Sequence, residues 1–366
     1  MALSVPVAIM LLSLSGIPIA YLVNTASTLH GETGLLISGV VALSTLSLLT
    51  YLAIAGKNET NDPLFYVFTL CTFSSVVDFL IGLETDHLIS GFMTNYLKDG
   101  EPYLGTPYGS MICYWDGTGH YLMYIIMLYL ISQGRSFREV GLYWAGSIGH
   151  SMIVFIPGNI VGKFGIRPSF LLNVPYMFIP FMSCGRFLKE RRAEAKIKTP
   201  GTSLLSRPLD LLLVLGLLTS VCVAFLRGFA VLGCKNDLFT SYVAVYEPYL
   251  NDPVAYPKIQ MLVYLFYYVP YYLMAVYGLM SPGQSWMPDW ALIHAGASVQ
   301  GQFAHLFGAI HRNTEPEYRI PTSPDVRNVF YLINVGLLVL PHLLALRCVL
   351  SKSFFNSSKT SEQKTK

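Results

Sequence analysis

Glu101-Pro102-Tyr103-Leu104 occurs again 146 residues later, as Glu247-Pro248-Tyr249-Leu250. Further matches occur in the same order in both copies. Pro63-Leu64 matches Pro208-Leu209, Trp144 matches Trp290, and Asn173-x6-Pro180 matches Asn334-x6-Pro341. Collinear matches at a nearly constant spacing are the signature of an internal duplication. The last pair is offset by 161 residues, and the extra 15 residues fit in the segment around 311–326.

The chain around these motifs is too apolar for a water-soluble fold. Only 12% of its 366 residues are charged and 53% are hydrophobic, whereas a soluble domain has about 25% charged residues. The six cysteines form no Cys-x-x-Cys pair, so neither a disulfide scaffold nor a zinc site is expected. These features exclude a soluble enzyme, a secreted scaffold and a nucleic-acid binder, and they predict a polytopic membrane protein.

Ten segments are long and apolar enough to cross a bilayer, which takes about 20 residues of helix. They are residues 4–24, 34–55, 63–83, 110–132, 139–161, 169–187, 209–231, 258–280, 287–310 and 327–350. The segments after even-numbered spans, with the C-terminal tail, are richer in Lys and Arg, including the patch at 186–207. Because basic residues concentrate on the cytoplasmic side, both termini are predicted to be cytoplasmic. The sequons at Asn58 and Asn356 then lie on that side and should carry no sugar.

The duplication and the spans together predict an all-α fold with two repeated bundles. The predicted parts are two leading helices (1–60), a first four-helix unit (61–187), a basic cytoplasmic linker (188–206), a second four-helix unit (207–350) and a disordered cytoplasmic tail (351–366). Since each unit contains an even number of spans, both units should have the same orientation, as parallel repeats do.

Ionisable residues within the predicted spans are the first candidates for a functional site, because a charge in the bilayer is costly unless it serves a purpose. Asp116 and His120 are four residues apart and share one helix face. The hypothesis is a buried acid/base pocket in the first unit, and its candidate residues are Asp78, Glu84, Asp116, His120, Asn159 and Asn173. The alternative is that these side chains only hydrogen-bond between helices. No cofactor motif and no metal triad is found, so neither is expected.

Several longer strings resemble one family over nearly the whole chain. They are Gly100–Leu104, Ile112–Thr118 with His120-Tyr-Leu, Gly158–Lys163, Asp252–Met261 and Ser285–Leu292. These strings are similar to the transmembrane 6 superfamily. The strings at 289–292 and 341–345 favour its member 2, whereas those at 292–296 and 157–161 favour member 1, and member 2 is slightly preferred. The resemblance implies that each four-helix unit is an EXPERA domain, the domain shared with emopamil-binding protein and the sigma-2 receptor.

For member 2 the resemblance implies a protein of the endoplasmic reticulum and ER–Golgi intermediate compartment that supports secretion of triglyceride-rich lipoproteins and controls lipid droplet content. The expected partners are a sterol or other lipid and proteins of lipoprotein assembly or lipid synthesis, with no nucleic acid. Member 1 would imply lysosomal membranes instead.

A rival hypothesis is a sterol Δ8–Δ7 isomerase that uses the first unit. The isomerase has a His and a Glu four apart on its first EXPERA helix, whereas the corresponding stretch Ser75–Gly82 contains one acid, Asp78. The candidate catalytic residues are therefore Asp78, Asp116 and His120. The matching helix of the second unit has a cation, Arg227, so that unit is expected to be non-catalytic. A lipid transporter or scramblase is a third possibility.

Overall fold

The computed structural model of the chain describes residues 5–26, 29, 31–54, 62–190 and 203–355. Within this part the regular structure is helical, which confirms the all-α fold. Two leading spans come first: α1 (Val5–Ser13) and α2 (Gly16–Thr25) form one interrupted rod, and α3 (Glu32–Ile54) forms the other. The break between α1 and α2 is a tight turn at residues 14–15.

The next set of helices covers the first predicted unit. Its members are α4 (Pro63–Thr85), α5 (Pro107–Trp115), a π-helical turn (Asp116–His120), α6 (Tyr121–Ser132), α7 (Arg138–Val161) and α8 (Val174–Lys189). Local chemistry sets several starts. The Asp62 side chain accepts a hydrogen bond from the Leu64 amide at 3.0 Å, and Thr106 caps α5 in the same way. Proline follows each cap, where its missing N–H costs nothing.

The second set repeats this order. Its members are α9 (Pro208–Val231), α10 (Asp237–Tyr246), α11 (Tyr256–Val263), a π-helical turn (Tyr264–Tyr268), α12 (Val269–Met280), α13 (Met287–Ile310), α14 (Pro324–Leu350) and α15 (Lys352–Phe355). Among the described residues, seven helical rods are long and apolar enough to cross a membrane. The predicted spans 110–132, 169–187 and 287–310 are helical but do not reach that standard, so the count of ten stays a prediction.

Helices α7 and α13 form the central contact of the molecule. Gly146 and Gly296 let the two backbones touch, because a Cβ atom on Gly146 would lie 1.8 Å from the Ile293 carbonyl oxygen and one on Gly296 would lie 1.9 Å from that of Tyr143. No other residue type fits at such a distance. The core therefore depends on two glycines that the sequence analysis did not single out.

The same two helices are tied together at one end by an ion pair. Both terminal nitrogens of Arg138 donate to the Asp289 carboxylate, at 2.8 and 2.6 Å, and its Nε donates to the Phe187 carbonyl. Arg138 and Asp289 lie at the beginning of α7 and of α13, so the helices run parallel. Parallel packing is what the duplication requires, although the repeat itself stays a prediction.

One of the matched pairs does not share an environment. Trp144 is buried in the core, whereas Trp290 is 40% exposed. Helices α7 and α13 begin 149 residues apart, at Arg138 and Met287, while the tryptophans are separated by 146 residues. The pair is therefore out of step by about one helical turn, and the tryptophans should not superpose.

Helices extend into both the predicted basic linker (188–206) and the predicted tail (351–366). Helix α8 continues to Lys189, and most of the basic linker, residues 191–202, lies outside the described residues, as do Asn58 and Asn356. Residues Lys352–Phe355 of the assigned tail form α15, and its Phe354 ring lies under the guanidinium groups of Arg207 and Arg347. Cation–π contact and burial of the ring account for this ordered turn.

Candidate functional site

A cavity of about 170 Å³ lies between the leading helices and the first unit. One wall comes from α2 and α3, through residues such as Ala20, Ser38 and Ala42. The opposite wall comes from α4, α5, α7 and α8. Most lining side chains are apolar or aromatic with a few polar groups among them, which is the usual composition of a small-molecule site.

Three carboxylates line this cavity: Asp78 on α4, Glu101 before α5 and Asp116 at the start of the π-helical turn Asp116–His120. They come from segments distant in sequence, and the packing of α4 against α5 and the π-helical turn brings Asp78 and Asp116 to one space. Among the lining residues that the structure describes there is no Lys, Arg or His. The cavity is thus an apolar space with an excess of hydrogen-bond acceptors.

His120 lies behind Asp116 and not in the cavity. Its Nδ1 is hydrogen-bonded to the Asp116 carboxylate, and its Nε2 is hydrogen-bonded to the Ser147 hydroxyl at 2.8 Å. His120 is not among the residues that line the cavity, so its contact with the cavity is indirect, through Asp116. The π-helical turn Asp116–His120 joins these two residues, and single π-helical turns are frequent at functional sites.

Glu84, a predicted site residue, is placed elsewhere. Its carboxylate accepts hydrogen bonds from the backbone amides of Gly91, Phe92 and Met93 and from the Thr94 hydroxyl. It therefore stabilises the turn after α4 and does not line the cavity. A sequence position inside an apolar run could not distinguish this role from ligand binding.

Asn159, another predicted site residue, is also outside the cavity. It is buried and accepts a hydrogen bond from the Tyr256 hydroxyl, which links α7 to α11. Asn173 does line the cavity, and its side-chain amide donates to Glu101. Of the six predicted residues, the structure brings Asp78, Asp116 and Asn173 to the cavity, with His120 in support.

Glu101 lines the cavity but was not among the predicted site residues. It is 3% exposed, lines the cavity and accepts hydrogen bonds from the Tyr103 hydroxyl at 2.8 Å and from Asn173. The duplicated Glu-Pro-Tyr-Leu motif was a signal for it, because an acid repeated in both copies has a role in both. It was missed because it lies in a segment predicted to be a loop.

Titration of Glu101 should make stability depend on pH. Burial raises the pKa of Glu101 from 4.5 to about 7, and the hydrogen bonds from Tyr103 and Asn173 offset only part of that rise. The folded protein then holds a proton that the unfolded chain releases, so this contribution to stability is complete below pH 4.5 and is lost as the pH rises through 7. The loss amounts to about 3 kcal/mol.

We therefore expect Glu101→Gln to abolish most of this pH dependence, because glutamine keeps the acceptor oxygen and has no proton to release. The measurement is the unfolding temperature of purified wild-type and variant protein between pH 4.5 and 8. Asp237→Asn, at an exposed position, is the control and should follow the wild type. Parallel pH profiles for Glu101→Gln and the wild type would show that Glu101 does not titrate in this range.

Comparison with known proteins places the chain in a family. The family model described as "Transmembrane 6 superfamily member 2-like, transmembrane domain" matches residues 15–198, and the EXPERA (EXPanded EBP superfamily) model matches residues 236–348. The second match covers the second unit from α10 onward and leaves out α9, while the first unit and most of the leading spans fall within the first match. An EXPERA assignment for the first unit therefore stays a prediction.

Two relatives show the same relationship over nearly full length. Transmembrane 6 superfamily member 2 from Mus musculus is 43% identical over 353 residues, which cover 94% of this chain and 92% of the relative. The Homo sapiens protein of that name is 41% identical, with 96% and 94% covered. No solved structure matches the chain significantly. The preference for member 2 is thus confirmed, and the chain belongs to the transmembrane 6 superfamily as a multi-pass membrane protein.

Proposed function

We propose that this protein is a regulator of lipid metabolism that binds a sterol or other lipid in the cavity of the first unit. The observation that carries the proposal is an apolar cavity whose only acidic or basic side chains of the Asp, Glu, Lys, Arg and His types, among the described residues, are Asp78, Glu101 and Asp116. A lipid hydroxyl can donate to one of these acceptors while its hydrocarbon body occupies the apolar part. The cavity lies among the helices of a membrane protein, where such a ligand is dissolved.

The cellular role follows from the family. The relatives are named only as members of the transmembrane 6 superfamily, and the resemblance implies residence in the endoplasmic reticulum membrane and the ER–Golgi intermediate compartment. There the protein would support secretion of triglyceride-rich lipoproteins and control lipid droplet content. Ligand occupancy would be the signal that adjusts lipid loading, with lipoprotein-assembly or lipid-synthesis proteins as partners.

A second candidate function, sterol isomerisation, is favoured by one observation. Asp78 and Asp116 both line the cavity, so two carboxyl groups are available to add a proton to one alkene carbon and remove one from another. General acid–base catalysis needs such a pair within reach of the substrate. His120 would assist by orienting Asp116. Binding without turnover is our first proposal, because the stretch Ser75–Gly82 contains one acid, Asp78, where the isomerase has a His and a Glu.

A larger side chain on the wall formed by α2 and α3 would fill the cavity and so test the binding proposal. Ala42 lines the cavity, so Ala42→Phe should occupy the space of the ligand, whereas Val41 is 57% exposed on the outer face of α3. Val41→Phe is therefore the matched control. We expect labelling by a photoreactive cholesterol analogue to fall at least about tenfold in Ala42→Phe, which corresponds to about 1.4 kcal/mol, and to stay unchanged in Val41→Phe.

The cellular readout uses hepatocyte-derived cells that lack the protein. Val41→Phe should restore secretion of triglyceride-rich lipoproteins, and Ala42→Phe should not, provided that both variants are present at equal amounts in the membrane. Equal labelling of the two variants would rule out the cavity as the sterol site. Full restoration of secretion by an unlabelled Ala42→Phe would separate the cellular role from ligand binding.

A further inference from the structure

The second unit contains a fully buried ionic cluster that the proposed function does not use. Arg227, Glu247 and Asn334 are each 0% exposed. A single terminal nitrogen of Arg227, Nη2, donates to the Glu247 carboxylate and to the Asn334 side-chain oxygen, the latter at 2.9 Å. Arg227 Nε donates to the Tyr242 hydroxyl at 3.4 Å. The guanidinium is thus enclosed by an acid, an amide and a phenol, which we call the second cage.

The first unit has the same three residue types around its cavity. Tyr96, Glu101 and Asn173 all line it, and Asn173 donates to Glu101, just as Asn334 Nδ2 approaches Glu247 Oε1 at 3.4 Å. The tyrosines and the glutamates of the two sets are each separated by 146 residues. We call this group the first cage.

The position that corresponds to Arg227 can be read from the helices. Gly82 of α4 and Gly228 of α9 are also 146 residues apart, and both are close-approach sites, since a Cβ atom would lie 3.0 Å from the Tyr114 ring and 2.9 Å from the Leu265 side chain. The residue before each glycine is Ile81 in the first unit and Arg227 in the second. Ile81 lines the cavity. The first unit therefore has a short apolar side chain where the second has a guanidinium.

The pKa values of Glu101 and Glu247 differ for this reason. Burial acts to raise the pKa of Glu247, but the Arg227 charge, together with the interactions with His305 and the hydrogen bond from Arg227, lowers the pKa to about 2. Glu101 has no cation beside it among the described lining residues, and burial raises its pKa to about 7. Equivalent acids are thus neutralised in different ways, one by an internal cation and one by proton uptake.

We propose that Arg227 is the built-in occupant of the second cage, which is a guanidinium-binding site closed by the chain's own side chain, so that of the two cages the first alone is open to a ligand. The duplicated architecture supplies two cages. The residue at position 227 fills one of them, and Ile81 leaves the other open. This assignment of the second cage does not depend on the proposed function, whereas the statement about the first unit does.

Chemical rescue tests the second cage. Arg227→Ala leaves Glu247 buried without its partner, and we expect the unfolding temperature of the purified full-length protein to fall by about 10 °C. Millimolar methylguanidinium should restore most of that loss by occupying the vacated space. It should have no effect on Arg227→Met, which fills the space with apolar atoms, or on Arg227→Ala combined with Glu247→Gln. Equal effects of methylguanidinium on all three variants, or an undiminished unfolding temperature for Arg227→Ala, would overturn the proposal.

Placing an arginine in the first cage is an independent experiment, which does not require Arg227→Ala to fold. Ile81→Arg should place a guanidinium at the first cage and keep an unfolding temperature close to that of the wild type. Leu80→Arg, at a buried position that does not line the cavity, should not yield folded protein. If Ile81→Arg is as damaging as Leu80→Arg, positions 81 and 227 are not equivalent and the proposal is wrong.

The same variant separates this proposal from the proposed function. We expect Ile81→Arg to lose labelling by the photoreactive cholesterol analogue, with Ile81→Met as the labelled control. A folded Ile81→Arg that is still fully labelled would place the sterol outside the first cage. That result would contradict the statement about the first unit and leave the guanidinium assignment of the second cage supported by the rescue experiment.

Discussion

Gly296→Ala is expected to weaken the central packing of α7 against α13 by about 3 kcal/mol. The added methyl group would meet the Tyr143 carbonyl oxygen at 1.9 Å, and because this oxygen belongs to a helix backbone, only separation of the two helices can relieve the clash. Overpacking of this kind costs about 1–3 kcal/mol when side chains can adjust, and occasionally more. Thermal unfolding of the purified protein in detergent measures the loss.

The glycine on the opposite helix supplies a second measurement. Gly146→Ala should cost a similar amount, because its methyl group would lie 1.8 Å from the Ile293 carbonyl oxygen. The double variant should lose less than the sum of the single losses, since helices already separated by one methyl group have room for the other. Gly336 on α14 has open space around its Cβ position, so Gly336→Ala is the control and should be neutral or stabilising. A Gly296→Ala protein as stable as Gly336→Ala would refute the close crossing.

Asp116→Asn is expected to separate binding from catalysis. Asparagine keeps the shape of the side chain and its hydrogen-bonding capacity, but it cannot transfer a proton at neutral pH. A catalytic Asp116 should therefore lose at least about 10²-fold in turnover, the usual share of general acid–base catalysis. A binding Asp116 should lose about 1–3 kcal/mol of affinity, the cost of a mismatched buried partner.

We expect the second outcome, with modestly weaker labelling by the cholesterol analogue and no Δ8-to-Δ7 conversion by the purified wild-type protein. His120→Ala is the companion variant, because it removes the group that orients Asp116 without touching the cavity. It should weaken labelling less than Asp116→Asn. Conversion by the wild type that disappears in Asp116→Asn and Asp78→Asn would instead establish the isomerase.

The extent of the helices was predictable because apolar length and proline position are local properties. The start of α4 at Pro63 and of α9 at Pro208 agrees with the predicted spans within one residue. The Gly146–Gly296 crossing could not be predicted, because it depends on which faces meet, and α7 is buried nearly all round and has no single apolar stripe to show its partner. The different environments of Trp144 and Trp290 could not be predicted for the same reason, because they too depend on which helix faces meet.

The site was predictable in part. Asp78, Asp116 and Asn173 were identified as polar groups inside apolar runs, and that reasoning depends only on the cost of burying them. The same rule selected Glu84 and Asn159, whose costs are met by backbone amides and by the Tyr256 hydroxyl. A single sequence does not show where such a partner lies. Glu101 escaped the rule because it lies in a connecting segment that folds back into the bundle.

The wall contributed by α2 and α3 makes the cavity depend on more of the chain than the predicted first unit. A segment that began at residue 61 would contain all three carboxylates, yet its cavity would open directly onto surrounding lipid where Ala20, Ser38 and Ala42 now stand. The smallest portion of the chain that encloses this cavity therefore includes the leading helices. If the two predicted units arose by duplication, that event alone would not have enclosed the cavity, because α2 and α3 lie outside both units.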